Sequence, residues 1–399
     1  MSLAWAFAPT EAERNAIAQA HRDAVHRAML LVAETIGRAR MGQGGRNGAE
    51  PGAIGWISFD HYAARPTLEI ARSRPDGTVE TELVTVKVAG DPQLHTHVAV
   101  PNAVLTPSGR LGSLDTMRMH HKIHEWGAIY QAHLAQNLRA LGAKAELDET
   151  LGAARLTAVP DSVRSTFSKR TRDAVADAKR FAVSAGMDWE RMSPEERIKL
   201  FKSGAFASRI EKGDDLSDFN AWQRQLDRLG YRHKSVLDPG RPAETAAEKE
   251  RHGQAYEIGS RLLAQAFERR AVVSEADARV AAARSLIATG IESAIEVDAV
   301  RAAFSRNGIP VSGTTEAAAS AVRSFTTRLI EVPVAHRKAH WEGGEAALTE
   351  GGVEMRITTR AHLAQETAVI ELARKHGSDR RNLLDPDAIE RGVRPGICR

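Results

Sequence analysis

Two histidines one residue apart, His95 and His97 in Gly90-Asp91-Pro92-Gln93-Leu94-His95-Thr96-His97-Val98-Ala99-Val100, are the residues of this sequence best placed to do chemistry. Gly-Asp-Pro is turn chemistry, because glycine accepts positive φ and proline fixes its own, and the Val-rich run after it has the composition of a strand. Strand side chains alternate with a period of two, so His95 and His97 share one face while Leu94, Thr96 and Val98 share the other. Two imidazoles on one face can bind one metal ion together. An open catalytic metal site wants three protein ligands and leaves the other positions to water or substrate. The candidate for the third is His61, in the upstream strand-like run Ile57-Ser58-Phe59-Asp60-His61-Tyr62-Ala63-Ala64-Arg65-Pro66. Between them Glu82 to Val88 alternates apolar and polar residues and is expected to pair antiparallel with the histidine strand. Such spacing also occurs by chance, so by itself it leaves an ordinary polar strand face open.

The elements that must position these residues can be read along the chain. Thr10-Glu11-Ala12-Glu13 is a capping box, with Glu13 expected to reach back to the cap. The helix it opens runs to about Arg40, with Ile17, His21, Ala24, Val25, Ala28, Val32 and Ile36 on one side. His21 and His26 read as helix-surface residues, since neither has an imidazole or carboxylate one turn on. Gly42 to Gly48 is a flexible connection, lacking the preceding strand and the G-x-x-x-x-G-K-[ST] pattern of a phosphate-binding loop. Thr106 to Arg110 is a turn, and Asp115 is expected to cap a helix whose inner side carries Ile123, Gly127, Tyr130, Leu134, Leu138 and Leu141. His120 and His124 on it form a rival metal pair, but no third ligand or intervening glutamate accompanies them, and with His121 and His133 they read as a solvated face.

Asp161 to Ala185 is a helical stretch carrying Arg164, Lys169, Arg170, Arg172, Lys179 and Arg180, either a phosphate-neutralising run or a charged surface. A further helix starts at Met192, and Gly230 with Pro239-Gly240 marks a domain boundary near 240. Beyond it Ala-, Glu- and Arg-rich helices are expected to about Arg337, one capped at Ser274, then a short strand at Val353 to Arg356 and a helix from Thr359 to Arg374. The fold class is thus α+β: an antiparallel sheet with flanking helices, followed by a mostly helical C-terminal region.

The 399 residues, 42% hydrophobic and 27% charged, are enough for a substantial core in two or three units. A net charge of +4 with a pI of about 9.2 is compatible with a polyanion partner without demanding one. The only cysteine is Cys398, so no intrachain disulfide forms, and a reducing cytoplasm is the natural compartment. No run approaches a membrane span, and Leu3 to Ala8 is too short, with no basic residue before it, for a signal peptide.

Phe59-Asp60-His61 followed by Asp91-Pro92-Gln93-Leu94-His95-Thr96-His97 resembles the three-histidine motif of conjugative relaxases of the TrwC/TraI (MOB-F) type, members of the HUH endonucleases. The resemblance extends through Gly127 to Leu134, Leu138 to Gly142 and Pro160 to Thr171, and to Thr358 through Arg374, which resembles the lead-in to the helicase part of long relaxases. It implies a relaxase domain over 1–240, a helical linker over 241–345 and, in 346–399, the lead-in to a helicase domain that the chain lacks.

By resemblance the activity is metal-assisted transesterification of single-stranded DNA at a transfer origin, in company with the conjugation machinery. A tyrosine attacks the scissile phosphate and stays on the 5′ end. His61, His95 and His97 would hold the metal, and Arg65 matches a family arginine that can meet phosphate. Arg164, Lys169 and Arg170 would be further DNA contacts. The family implies Mg²⁺ or Mn²⁺, whereas three neutral imidazoles by themselves favour Zn²⁺, Cu²⁺ or Ni²⁺.

Two departures stand out. His61 lies much further before His95 than in the best-known members of the family, with Arg72 to Thr81 reading as an inserted hairpin, a change that is cheap at a hairpin tip. Met1 to Ala8 reads as half a strand, the end of a family segment, which would put the nucleophilic tyrosine and a metal-orienting carboxylate upstream of residue 1. None of Tyr62, Tyr130, Tyr231 and Tyr256 is assigned as nucleophile, and the chain alone is expected not to cleave. The alternatives are a non-catalytic single-stranded DNA-binding remnant of a relaxase and an unrelated zinc hydrolase, which would need a general base near His95.

Overall fold

The computed structural model of the chain describes residues 1–42, 46–63, 68–73, 79–84, 90–119, 122–168, 179, 182–183, 186–188, 218–232, 234–242, 246–268, 270–310, 326–342 and 345–376. By contacts it divides into two compact units, residues 1–255 with 283–296, and residues 256–282 with 297–399. His61, His95 and His97 lie in the first.

The first unit opens with a helix, α1 (Ser2–Ala6), where half a strand is expected. The reason is legible in its burial: Ala4, Trp5, Ala6 and Phe7 are all buried, and a short run that is apolar on every side has no period to tell helix from strand. Ser2 still serves the histidine strand, since its Oγ accepts a hydrogen bond from the Leu94 amide at 3.1 Å.

Thr10 caps α2 (Glu11–Ile36), its Oγ1 accepting from the Glu13 amide at 3.1 Å. The Glu13 carboxylate accepts from the Val236 amide, a tertiary contact where the sequence suggests a local one. The helix ends four residues earlier than expected, at Gly37, where a Cβ would lie 2.4 Å from the Ala33 carbonyl oxygen and 2.7 Å from that of Gly52. A side chain does not fit there. Arg38–Arg40 then forms β1, paired antiparallel with β2 (Ala49–Pro51).

β3 (Ile57–Ala63) pairs antiparallel with β6 (Pro92–Ala99), and the inserted hairpin between them is β4 (Leu68–Ser73) paired with β5 (Val79–Val84). The expected pairing of Glu82 to Val88 with the histidine strand is therefore overturned as far as Val84, and the rest of that run lies outside the described residues. The hairpin satisfies its own hydrogen bonds, which leaves the histidine strand to pair with β3. β7 (Val104–Leu105) and β8 (Leu111–Gly112) flank the expected turn, with Gly109 at φ 78°.

Asp115 opens a 3₁₀ turn, Thr116–Met119, and ion-pairs with Arg118 instead of capping the long helix. That helix, α3 (Ile123–Ala140), starts later, and its buried side is Glu125, Trp126, Ala128, Ile129, Ala132, His133, Leu134, Ala135 and Leu138. Ile123, expected inside, is 55% exposed. Met29, Val32 and Ile36 of α2 meet Ala39, Val104, Leu114 and Trp126 in a core cluster that binds α2 and α3 to the small strands. β9 (Ala145–Asp148) and β10 (Ala153–Leu156) form a further antiparallel pair. α4 (Asp161–Thr166) forms the start of the expected basic helix, Lys179, Ala182 and Val183 are helical as well, and most of the rest lies outside the described residues; α5 (Asp218–Arg228) carries Trp222, whose indole N–H donates to the Gly90 carbonyl at the turn into β6.

α6 (Glu248–Phe267) and α7 (Glu275–Thr289) follow, the second capped as expected by Ser274, whose Oγ accepts from the Asp277 amide at 3.1 Å. α8 (Ile295–Asn307) is the last helix before the strands among the described residues, and strand from Leu329 overturns the helical expectation to Arg337. Short strands β11 (Ile309–Pro310) and β12 (Thr326–Thr327) precede a long antiparallel ribbon, β13 (Leu329–Glu342) with β14 (Glu345–Thr359), which absorbs the expected short strand at Val353 to Arg356. α9 (Arg360–His376) matches the expected final helix, with Thr359 as its cap. The architecture is α+β, with helices around small two-stranded antiparallel sheets.

Candidate metal centre

The register of β3 on β6 sets His61 directly opposite His95 and Phe59 directly opposite His97. Directly opposed residues point to the same side of an antiparallel pair, so alternation gathers all three imidazoles on one face. The ring centroids of His61 lie 5.4 Å from those of His95 and 4.6 Å from those of His97. His95 and His97 are 5.0 Å apart by centroid, and their Nε2 atoms approach to 3.2 Å. His95 Nδ1 donates to the Gln93 carbonyl at 2.8 Å, which in the neutral ring leaves Nε2 with its lone pair toward His97.

The donor set fits a divalent metal. Two imidazole nitrogens bound to one tetrahedral ion sit about 3.3 Å apart, close to the spacing of this pair. Among the described residues no three His, Cys, Asp or Glu side chains are closed around one point, so this is a cluster of three imidazoles rather than a finished cage. Ile57 and Phe59 on the same face are 58% and 52% exposed, which leaves the imidazoles open to a partner.

The reverse face is a continuous hydrogen-bonded array. His21, expected at the surface, is only 3% exposed. Its Nδ1 meets the Tyr130 hydroxyl at 2.8 Å and its Nε2 meets Thr96 Oγ1 at 2.8 Å. Thr96 donates to Asp60 Oδ1 at 2.7 Å, and Arg22 Nε donates to Asp60 Oδ2 at 2.8 Å. Burial pushes the His21 pKa down, with Arg22 and His95 adding to the effect and Asp60 opposing it. Burial works to raise the Asp60 carboxyl, but hydrogen bonds from Arg22 and Thr96 outweigh it and hold it below the usual range. Burial also raises the Tyr130 phenol, keeping it protonated. The sequence carried one signal of this array, the position of His21 on the inner stripe of α2.

Of the other candidates, Arg164 sits in α4, ion-paired with Asp161, which also accepts from Arg155. Both arginines line a cavity of about 240 Å³ that also takes in Pro92 at the start of β6. Arg65, Lys169 and Arg170 lie outside the described residues, as do His120 of the rival pair and its neighbour His121. His124 is exposed, but His133, expected on the solvated side, is buried, its pKa lowered to about 4 by burial first and by Arg27 second. Tyr62 faces away from His61, as strand alternation requires, and stacks on Trp5 at 4.9 Å.

The family model of the TrwC relaxase matches residues 1–229. The chain belongs to the TrwC relaxase family. Three solved structures resemble this relaxase-family chain at 23% identity, each over 58% of it. They are a conjugative relaxase TrwC in complex with mutant oriT DNA, covered over 71% of its length with a TM-score of 0.43, and metal-free and metal-bound complexes with oriT DNA, covered over 71% and 69% with TM-scores of 0.44 and 0.43. A comparison with curated proteins finds no match. Among the described residues no helix is long and apolar enough to cross a membrane.

Proposed function

We propose that this chain binds single-stranded DNA at a transfer origin and that His61, His95 and His97 hold a divalent metal ion beside the scissile phosphate. The observation that carries this is the gathering of three imidazoles on one open strand face, with the Nε2 atoms of His95 and His97 at 3.2 Å. Relaxase chemistry is a transesterification: a tyrosine oxygen forms a bond to phosphorus, the 3′ oxygen leaves, and the DNA is joined to the protein through its 5′ phosphate. When bound, the ion neutralises charge on the phosphate oxygens. Mg²⁺ or Mn²⁺ is the ion of the family reading, and three neutral imidazoles by themselves favour Zn²⁺, Cu²⁺ or Ni²⁺. Arg65, Arg164, Lys169 and Arg170 are proposed phosphate contacts, which position DNA without reading its sequence.

Three of the four tyrosines of the sequence are engaged with other groups, and none is assigned as nucleophile. Tyr62 stacks on Trp5 behind the histidines, Tyr130 is hydrogen-bonded to His21, and Tyr256 donates to the Gly308 carbonyl. The chain by itself is therefore read as binding DNA without cleaving it, a single-stranded DNA-binding module of a cytoplasmic conjugation system. Residues 1–240 are read as the relaxase part, 241–345 as a linker and 346–399 as a helicase lead-in.

An end-labelled transfer-origin oligonucleotide incubated with the chain and Mg²⁺ or Mn²⁺ should be retained in a salt-sensitive way, because phosphate contacts release counterions. It should give no denaturation-resistant adduct. An adduct would identify one of the four tyrosines as nucleophile and overturn the inactive reading, and failure to bind would overturn the DNA reading.

A further inference from the structure

We infer that His21, Thr96 and Asp60 are positioning residues for the histidine cluster, forming a hydrogen-bond relay that fixes the two strands from behind. The inference rests on the metal reading above and deepens it. Thr96 lies between His95 and His97 in the chain, and Asp60 immediately precedes His61. The relay therefore grips the backbone next to each of the three imidazoles, from the opposite face.

The direction of every hydrogen bond in it follows from chemistry. An ionised carboxylate only accepts, so Thr96 donates to Asp60 Oδ1. The Thr96 oxygen then accepts from His21, which requires the proton on Nε2. Nδ1 is left as the acceptor for the Tyr130 hydroxyl. One state satisfies every partner, the neutral ring protonated at Nε2, and both ring nitrogens of His21 are then engaged.

The relay also ties four elements together: α2 through His21 and Arg22, α3 through Tyr130, β6 through Thr96 and β3 through Asp60. A strand that slips by one residue turns its side chains to the other face, which here would bury the imidazoles. A threonine that must meet both a buried histidine and an aspartate forbids that slip.

The test uses the full chain, titrated with Mn²⁺ and Zn²⁺ alone, and heteronuclear NMR of the imidazoles. The wild type should show His21 protonated at Nε2 and not at Nδ1. Thr96→Val, which keeps the shape and removes the hydroxyl, should stay folded, shift the imidazole resonances of His61, His95 and His97, and weaken metal binding about 10-fold, the lower end for outer partners of metal ligands. His21→Ala should do the same, while His21→Gln, with an amide donor and a carbonyl acceptor, should restore affinity to within about threefold of wild type. A His21 proton on Nδ1, or a folded Thr96→Val with unshifted imidazoles, overturns the relay. His95→Ala separates the two readings: unchanged affinity in that variant overturns metal binding by this cluster, and the relay is then judged by the tautomer and the imidazole shifts.

Discussion

The outward face of the β3–β6 pair carries Ile57, Phe59, His61, His95 and His97, and the reverse face carries Asp60, Tyr62, Leu94 and Thr96. Phe59 is 52% exposed and Leu94 3% exposed, although both sit on the same two strands. The histidines differ in the same way. Those of the outward cluster approach one another at an open surface, whereas His21 and His133 are buried against α2 and α3 partners. Residue type alone does not assign a role, because an imidazole becomes a ligand or a structural hydrogen-bonding group according to what surrounds each nitrogen.

That contrast can be broken by experiment, beginning with the reverse face. Leu94→Ala should destabilise the first unit by about 2–5 kcal/mol, measured by denaturant unfolding, since truncating a buried leucine loses transfer energy and leaves a cavity. A smaller change would mean that the face tolerates collapse and is not tightly held.

The buried histidine His133 should make stability depend on pH. Its folded pKa is lowered from 6.5 to about 4, so the unfolded chain takes up a proton that the folded chain refuses in that window. Arg27 facing it reinforces the shift and Glu296 opposes it. The stabilisation is complete above the unfolded value and is lost as pH falls from about 6.5 to 4, on the order of 3 kcal/mol in total. His133→Gln should flatten the stability profile across that interval, and an unchanged slope would assign it to other groups.

On the outward face, His95→Ala should cost at least tenfold in Mn²⁺ or Zn²⁺ affinity, about 1.4 kcal/mol or more, by calorimetric titration. Phe59→Ala, its neighbour on that face, should change unfolding stability by no more than about 0.5 kcal/mol. A large loss of stability on removing Phe59 would show that something packs over the cluster and that the two faces are less different than their exposure indicates.

Several of these features were legible in the chain. The capping signals at Thr10 and Ser274 place the starts of α2 and α7, because a cap satisfies a local amide and needs no distant partner. Period-two alternation put His95 and His97 on one face and Thr96 on the other. The opening residues have the composition of half a strand but form a helix, since burial on every side erases the period. The helical expectation to Arg337 failed because strand β13 is held by its cross-strand partner β14, and such pairing leaves no mark within either segment.

The order of residues alone sets two histidines on one strand face with a third upstream, and carries the family motif that frames them. Tertiary structure decided which strand completes the cluster: β3, opposite β6, sets His61 against His95, and the intervening hairpin closes on itself. It also decided that His21 is buried between Tyr130 and Thr96. Local spacing fixes which side chains share a face, because alternation is a property of the backbone. Which face meets solvent and which meets a helix depends on contacts between residues far apart in sequence, and only the folded chain brings those together.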